Sequence, residues 1–298
     1  MDRLMTAAFT GLMTRTEQDH TTTLVLGATG KTGSRVAERL ATLGVPTRLG
    51  SRSAATPFDW EDRATWEPAL RGVGAVYISY YPDLAVPGAT ETVTAFAELA
   101  VRMGARRLVL LSGRGEDEAQ HAEQAVRATG ADLTSLRAGW FNQNFSESFM
   151  LEPVLAGELA LPAGDVAEPF VDVDDIAEVA AVALTEDGHV GQIYELTGPR
   201  LLTFADVAAE ISAATGREIR YVPITPEQLA AGMTEAGEPA EVVGLVSYLF
   251  TEVLDGRNSS LTDGVQRALG RPPRDFADYA RAMAASGVWD APVVRAEA

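Results

Sequence analysis

Three glycines spaced as Gly27-Ala28-Thr29-Gly30-Lys31-Thr32-Gly33 stand between a β-branched apolar run, TTTLVLG, and an amphipathic stretch, SRVAERLATLG. Glycine allows a strand-to-helix turn to bring its backbone against a pyrophosphate, whose charge then meets the amides and dipole of the helix N-terminus. The spacing is G-x-x-G-x-x-G rather than G-x-G-x-x-G, and its weight comes from the flanking strand and helix. A turn that needs glycine for sterics alone is the plainer reading. A P-loop is excluded, because its GK[ST] follows four intervening residues and only two separate Gly27 from Gly30. The next strand closes on Gly50-Ser51-Arg52, with no carboxylate before Asp59. An acidic residue there would bind the ribose 2′-hydroxyl of NAD, whereas a guanidinium matches a 2′-phosphate in a forked geometry. Arg52, helped by Ser51 and Lys31, therefore points to NADP(H), unless it is an ordinary surface arginine. Asp59 and Trp60 lie where the adenine would rest, or form a turn and a core aromatic.

Proton chemistry is harder to place. Many dinucleotide-dependent reductases use Tyr-x-x-x-Lys, in which lysine lowers the tyrosine pKa. Lys31 is the only lysine and lies in the glycine loop, so this chain lacks that pair. It then binds dinucleotide without reduction, or reduces an iminium, quinone or polarised enone that makes little demand on a protein acid. His121, on the helix EDEAQHAEQAVRATG, is a candidate acid because imidazole as a class is suited to that role, although a solvated helix histidine is the plainer reading. Tyr80 and Tyr81, after Ser79 at the end of AVYISY, fall where ligands gather in parallel sheets, and packing aromatics fit there too. No Ser/His/Asp arrangement or carboxylate pair stands out among the 42 acids.

The elements that must position these groups read as α/β. Short apolar runs alternate with amphipathic stretches, the pattern of βαβ units on a doubly wound parallel sheet of Rossmann type. Strands are expected at TTTLVLG, PTRLGSR, PFDW (a short third), AVYISY, RRLVLLSG and DLTSLRAG, with helices at 88–103 and 117–129 between later ones. Further strands near 170–173 and 192–197 return to the sheet. The division expected is an extension over 1–20, a dinucleotide-binding domain over 21–150, a smaller, mostly helical substrate domain over 151–290, and a tail over 291–298. The segment NQNFSESFMLEPVLAGELALPAGD is expected to be irregular or helical. REIRYVPIT reads as a strand, and 239–256 and 273–287 as helical. Thr203 is the expected N-cap of LTFADVAAEISAATG, with Asp206 three residues on.

Composition narrows the function classes. The 298 residues include no Cys and three His, which excludes disulfides, thiolate metal sites and a Cys nucleophile, and leaves no metal-ligand spacing. A net charge of −18 argues against nucleic acid and anionic membranes as partners. The apolar stretch Leu4–Met13 is followed by no cleavage-like site, and a cytoplasmic location is expected. The expected partner is a small-molecule substrate, with a homodimer left open.

GATGKTG, FDWEDRATWEPALRGVGAVYIS, ARRLVLLSG, LRAGWFNQNF and PFVDVDDIAEVAAVALTEDGHVGQIYELTGPRLLTFADVAAEIS resemble the NmrA-like branch of the atypical short-chain dehydrogenases/reductases. The resemblance spans residues 21–285 and is nearest to festuclavine/agroclavine dehydrogenases and NAD(P)H quinone reductases. It implies cofactor contacts at Gly27–Thr32, Arg52, Ser79 and Tyr80, and across Gly139, Trp140, Phe141, Asn142 and Asn144. Trp140 and Phe141, together with Tyr81, are also candidates for touching substrate; core packing is the alternative for both. The family often writes the last segment R-P-x-W-F-x-E-N. Here Ala138 and Gln143 replace its proline and glutamate, which leaves the local geometry open. The ergot enzymes reduce an iminium without a Tyr/Lys pair. The functional expectation is thus an NADPH-dependent reductase of a small cyclic or aromatic electrophile, the alternative being a non-catalytic NADP(H) sensor.

Overall fold

The computed structural model describes residues 22–290; the expected extension and tail lie outside that range. The first half alternates strand and helix: β1 (Thr22–Leu26), α1 (Lys31–Thr42), β2 (Thr47–Gly50), α2 (Trp66–Leu70), β3 (Val73–Ile78), α3 (Ala89–Arg102), β4 (Arg107–Gly113), α4 (Asp117–Ala128) and β5 (Asp132–Ala138). The second half comprises α5 (Asn144–Glu147), α6 (Leu151–Ala156), β6 (Glu158–Leu161), α7 (Val173–Thr185), β7 (Ile193–Leu196), α8 (Phe204–Thr215), β8 (Arg220–Pro223), α9 (Pro226–Glu235) and α10 (Ala240–Tyr248). A π-helical turn (Leu249–Val253), α11 (Gly264–Leu269) and α12 (Phe276–Ser286) complete it.

Six strands form one parallel sheet in the order β2-β1-β3-β4-β5-β7. Alternate residues of each strand feed opposite cores. Leu24, Leu26, Val76, Ile78, Leu108 and Leu110 pack under α2, α3 and α4. Val25, Tyr77, Val109 and Leu136 pack under α1, α7 and α11. Burial on both faces is why these strands read as unbroken apolar runs. Each fully buried aliphatic side chain contributes about 1.5–3 kcal/mol, so the sheet is a stiff platform for whatever its strand ends carry. No helix among the described residues is long and apolar enough to cross a membrane.

Two expectations about strands require correction. PFDW is not a strand: Pro57 has no N–H, Phe58 donates back to Ser51 O (3.0 Å), and Asp59 is tied to Thr65 Oγ1 (3.0 Å) and Trp66 Nε1 (2.8 Å). Local turn chemistry consumes the groups that a ladder would need. Residues 170–173 are not a strand either; Val171 makes a single parallel bridge to Phe141, and Asp172 already caps α7 through the Asp174 N–H (2.8 Å). The return to the sheet is made by β7 alone.

The remaining half gathers around a third core. Its two-stranded parallel sheet pairs β6 with β8, although ELAL had no strand signature in sequence. Trp140, Phe145, Phe170, Phe204, Phe250 and Phe276 pack together beneath α8, α10 and α12. Thr203 and Asp206 form the expected capping box of α8. An ionic clamp holds the segment between α11 and α12 to α7. Asp175 of α7, fully buried, accepts from Arg271 Nη2 (2.8 Å), from the Arg274 backbone (2.7 Å) and from its guanidinium, with Glu178 completing the cluster.

Removing one partner of a buried pair strands the other charges. Asp175→Ala is expected to cost about 3 kcal/mol, at the low end for such a loss because both arginines keep Glu178 and some solvent. Urea unfolding followed by circular dichroism measures this; an unchanged midpoint would contradict the clamp.

Candidate functional site

The chain runs outward in opposite directions after β1 and β3, so their C-terminal ends part and leave a crevice, the usual ligand position in an open parallel sheet. A cleft of about 940 Å³ opens there and continues over the ends of β4 and β5 to α10. Its floor is the glycine loop. Gly27 adopts φ +65°, a left-handed conformation that suits glycine. Gly33 sits so close to the strand end that a Cβ would fall 2.2 Å from Gly27 O and 3.0 Å from Leu26 O. Gly30 is the N-cap of α1 and supplies no side-chain cap, and the first turn holds no acid. The helix N-terminus therefore presents free amides and a positive dipole end to the cleft.

Most of the expected residues converge on this space. Gly27, Thr29, Gly30, Lys31, Thr32, Ser51, Arg52, Asp59, Trp60, Ser79, Tyr80, Tyr81, Gly139, Trp140, Phe141 and Asn144 all line it. Lys31 Nζ donates to Asn144 Oδ1 (3.2 Å), joining the loop to the segment after β5. Burial pulls the Lys31 ammonium below its ordinary value, partly offset by Glu147. Arg35 is held by Glu147 (2.6 Å), whereas Arg52 is exposed and makes no ion pair among the described residues. Trp60 lines the cleft and also packs on Tyr80 (5.0 Å between ring centroids), Phe58 and Phe96. Trp140 likewise lines the cleft while packing at a tilt on Phe250 (4.8 Å between ring centroids) and edge-to-face on Phe204.

Four expected residues lie elsewhere. His121 is exposed on α4 and does not line the cleft, because its helical position points away from the strand ends. Ala28 is buried, its N–H directed at Gly50 O (3.4 Å). Gly33 acts from beneath, through the close packing just described. Asn142 is fully buried and hydrogen-bonds Asp172 (3.3 Å). Gln143 joins it, donating to Asp172 Oδ1 (3.0 Å) and accepting from the Val173 N–H (2.9 Å). This latch fixes the turn that offers Trp140, Phe141 and Asn144 to the cleft. The glutamine at 143 thus has a structural use.

Several lining residues were not foreseen: Ser112, Arg114, Phe149, Leu245, Leu249, Asn258 and a carboxylate pair, Asp83 and Glu116. No such pair stood out among the 42 acids of the sequence. It was missed because a search by sequence spacing cannot join groups 33 positions apart; their shared placement just beyond β3 and β4 was the available signal. Behind it, Glu123 of α4 receives Ser112 Oγ (2.6 Å) and both arms of Arg137 (2.9 Å each), and so ties the ends of β4 and β5 to the helix.

A family model described as the NmrA-like family matches residues 117–249. Agroclavine dehydrogenase of Claviceps fusiformis is 33% identical over 281 residues, covering 87% of this chain and 96% of that protein. The NAD(P)H azoreductase of Xenophilus azovorans is 32% identical over 286 residues, covering 88% and 98%. The NADPH complex of the Escherichia coli quinone oxidoreductase QOR2 shares the fold, with a TM-score of 0.75 at 22% identity over 88% of this chain and 99% of that one.

Gly33→Ala is expected to push α1 off β1 and cost about 1–3 kcal/mol, the usual penalty for overpacking. The urea midpoint reads this directly; wild-type stability in the variant would contradict the approach of loop and helix.

Proposed function

The chain belongs to the NmrA-like family, and we propose that within it the protein is an NADPH-dependent reductase of a small cyclic or aromatic electrophile. The fit of the residues to a dinucleotide rests on their chemistry. Glycines at 27 and 30 leave the backbone bare, the α1 amides and Lys31 offer positive potential to phosphate, and Arg52 and Ser51 stand beyond β2 with no carboxylate on that strand end. When bound, the reduced nicotinamide supplies hydride. The protein's part is to hold the nucleotide along the strand ends, orient the electrophile and exclude water.

The observation that carries the reading is the open, largely apolar space beyond the phosphate cradle. Tyr80, Tyr81, Trp140, Phe141, Phe149 and Leu249 border it, and flat rings are what such walls accept. The cleft lies near the upper end of the roughly 300–1,000 Å³ found for small-molecule sites, which suits a dinucleotide with a second, smaller molecule. A sensor has no use for that second compartment. The named relatives, an agroclavine dehydrogenase and an NAD(P)H azoreductase, support a reductase of a small molecule.

Calorimetric titration with NADPH and NADH tests the nucleotide half of the reading. NADPH is expected to bind at least about tenfold more tightly, a difference near 1.4 kcal/mol, with the preference lost in Arg52→Asp. Equal affinity for both nucleotides would remove the 2′-phosphate role from Arg52, and binding of neither would end the proposal.

A further inference from the structure

Asp83 follows β3 and Glu116 precedes α4, and their carboxyl groups meet in the cleft within hydrogen-bonding reach of each other. We propose that this pair shares one proton and that Glu116 delivers it to the substrate, making the cleft a site for quinones and enones. The inference rests on the reductase reading above and names the proton source that the absent Tyr/Lys pair leaves open.

Four observations support it. Glu116 is only 6% exposed, yet it borders the cleft, and its Oε2 has no hydrogen-bond partner in the protein. A buried acceptor without a partner is costly unless it carries a proton or meets a ligand. The carboxyl folds back over the end of β4, where a Cβ on Gly113 would lie 2.1–2.2 Å from it, so glycine at 113 is what makes room. Asp83 is held from the other side by the Ala85 N–H (2.8 Å) and is half-buried, leaving a path for proton exchange with water.

The surroundings favour retention of a proton. Glu118, two residues on in the first turn of α4, adds negative charge, and Tyr248 of α10 donates its hydroxyl to Glu118 (3.0 Å). Arg114 turns away to Glu195, Asn258 O and Ser260, and Arg257 is engaged by Asp255 and Gly115 O. Neither acid of the pair is in an ion pair among the described residues. Burial and the facing Asp83 push the Glu116 carboxyl up to about 9, and burial raises Asp83 as well. Two adjoining carboxylates in a shielded site cannot both ionise at neutral pH.

Position completes the argument. The α1 N-terminus and Arg52 take the phosphates on the β1–β2 side, so the reacting half of a dinucleotide extends towards β3, β4 and β5, where the pair sits. As the electrophile accepts hydride, its oxygen becomes basic. The Glu116 O–H bond breaks, its electron pair stays on the carboxylate, and a new O–H bond forms on the substrate. Water then reprotonates the pair through Asp83. An iminium needs no such proton, because hydride alone gives the neutral amine.

The test uses Glu116→Gln and Asp83→Asn in the full chain, with a soluble quinone and a cyclic iminium salt as probes. Infrared difference spectra of nucleotide-free protein between neutral and strongly alkaline pH should show a protonated carboxyl band in wild type that Glu116→Gln lacks. The same variant should lose about 10²–10⁴ in quinone turnover, a far larger factor than it loses in iminium reduction. Asp83→Asn removes the charge that holds the proton, so the alkaline fall in quinone turnover should move to lower pH. A band that survives Glu116→Gln, or equal loss on both probes, overturns the assignment. If wild type binds NADPH but reduces neither probe, the reductase reading fails and the delivery step falls with it, while the infrared band still reports on the shared proton.

Discussion

The approach of α1 to the end of β1 governs this molecule. Because residue 33 has no side chain, the helix starts directly against Gly27 O, and its free amides face the point where β1 and β3 diverge. A bulkier residue would tilt the helix and withdraw those donors. The sheet can hold so close a contact because its strands are buried on both faces between two apolar cores. The presence of free helix amides at the cleft floor is therefore a consequence of packing.

From that fixed point the cleft is assembled by long-range ties. Lys31 reaches Asn144, and the turn carrying Asn144 is held by Asn142, Gln143 and Asp172 at the start of α7. Trp140, in the same turn, belongs at once to the cleft wall and to the aromatic core of the C-terminal half. The cleft wall and the C-terminal core thus share a residue. A π-helical turn at Leu249–Val253 contributes to the far wall, a kind of irregularity often found where a helix meets a ligand.

Charge in the cleft is divided along its length. The glycine-loop end holds a half-buried Lys31 and an exposed Arg52, whereas the far end holds Asp83 and Glu116, neither in an ion pair among the described residues. Charged residues elsewhere are mostly neutralised, as in the Arg137–Glu123–Ser112 group behind β4 and the Asp175 clamp. The acidic pair at the strand ends and the buried Glu168, whose carboxylate oxygens have no hydrogen-bond partner in the protein, are the exceptions to that pattern.

The sequence by itself determined the βαβ rhythm, the glycine loop, the absence of Tyr/Lys and the arginine after β2, because each is a local property of residue type and period. It also marked the capping box of α8 and most of the cleft-lining residues near the glycine loop and strand ends. It misplaced PFDW and 170–173, where turn hydrogen bonds and a helix cap outcompeted β-pairing, and it missed β6, whose four residues become a strand only on meeting β8 sixty positions away. It put His121 forward because imidazole titrates near neutrality, and the structure turned that residue to solvent. Only the tertiary structure brought Asp83 to Glu116. Their meeting depends on how two adjacent parallel strands end and how their loops fold back, and side-chain spacing along the chain carries no trace of that.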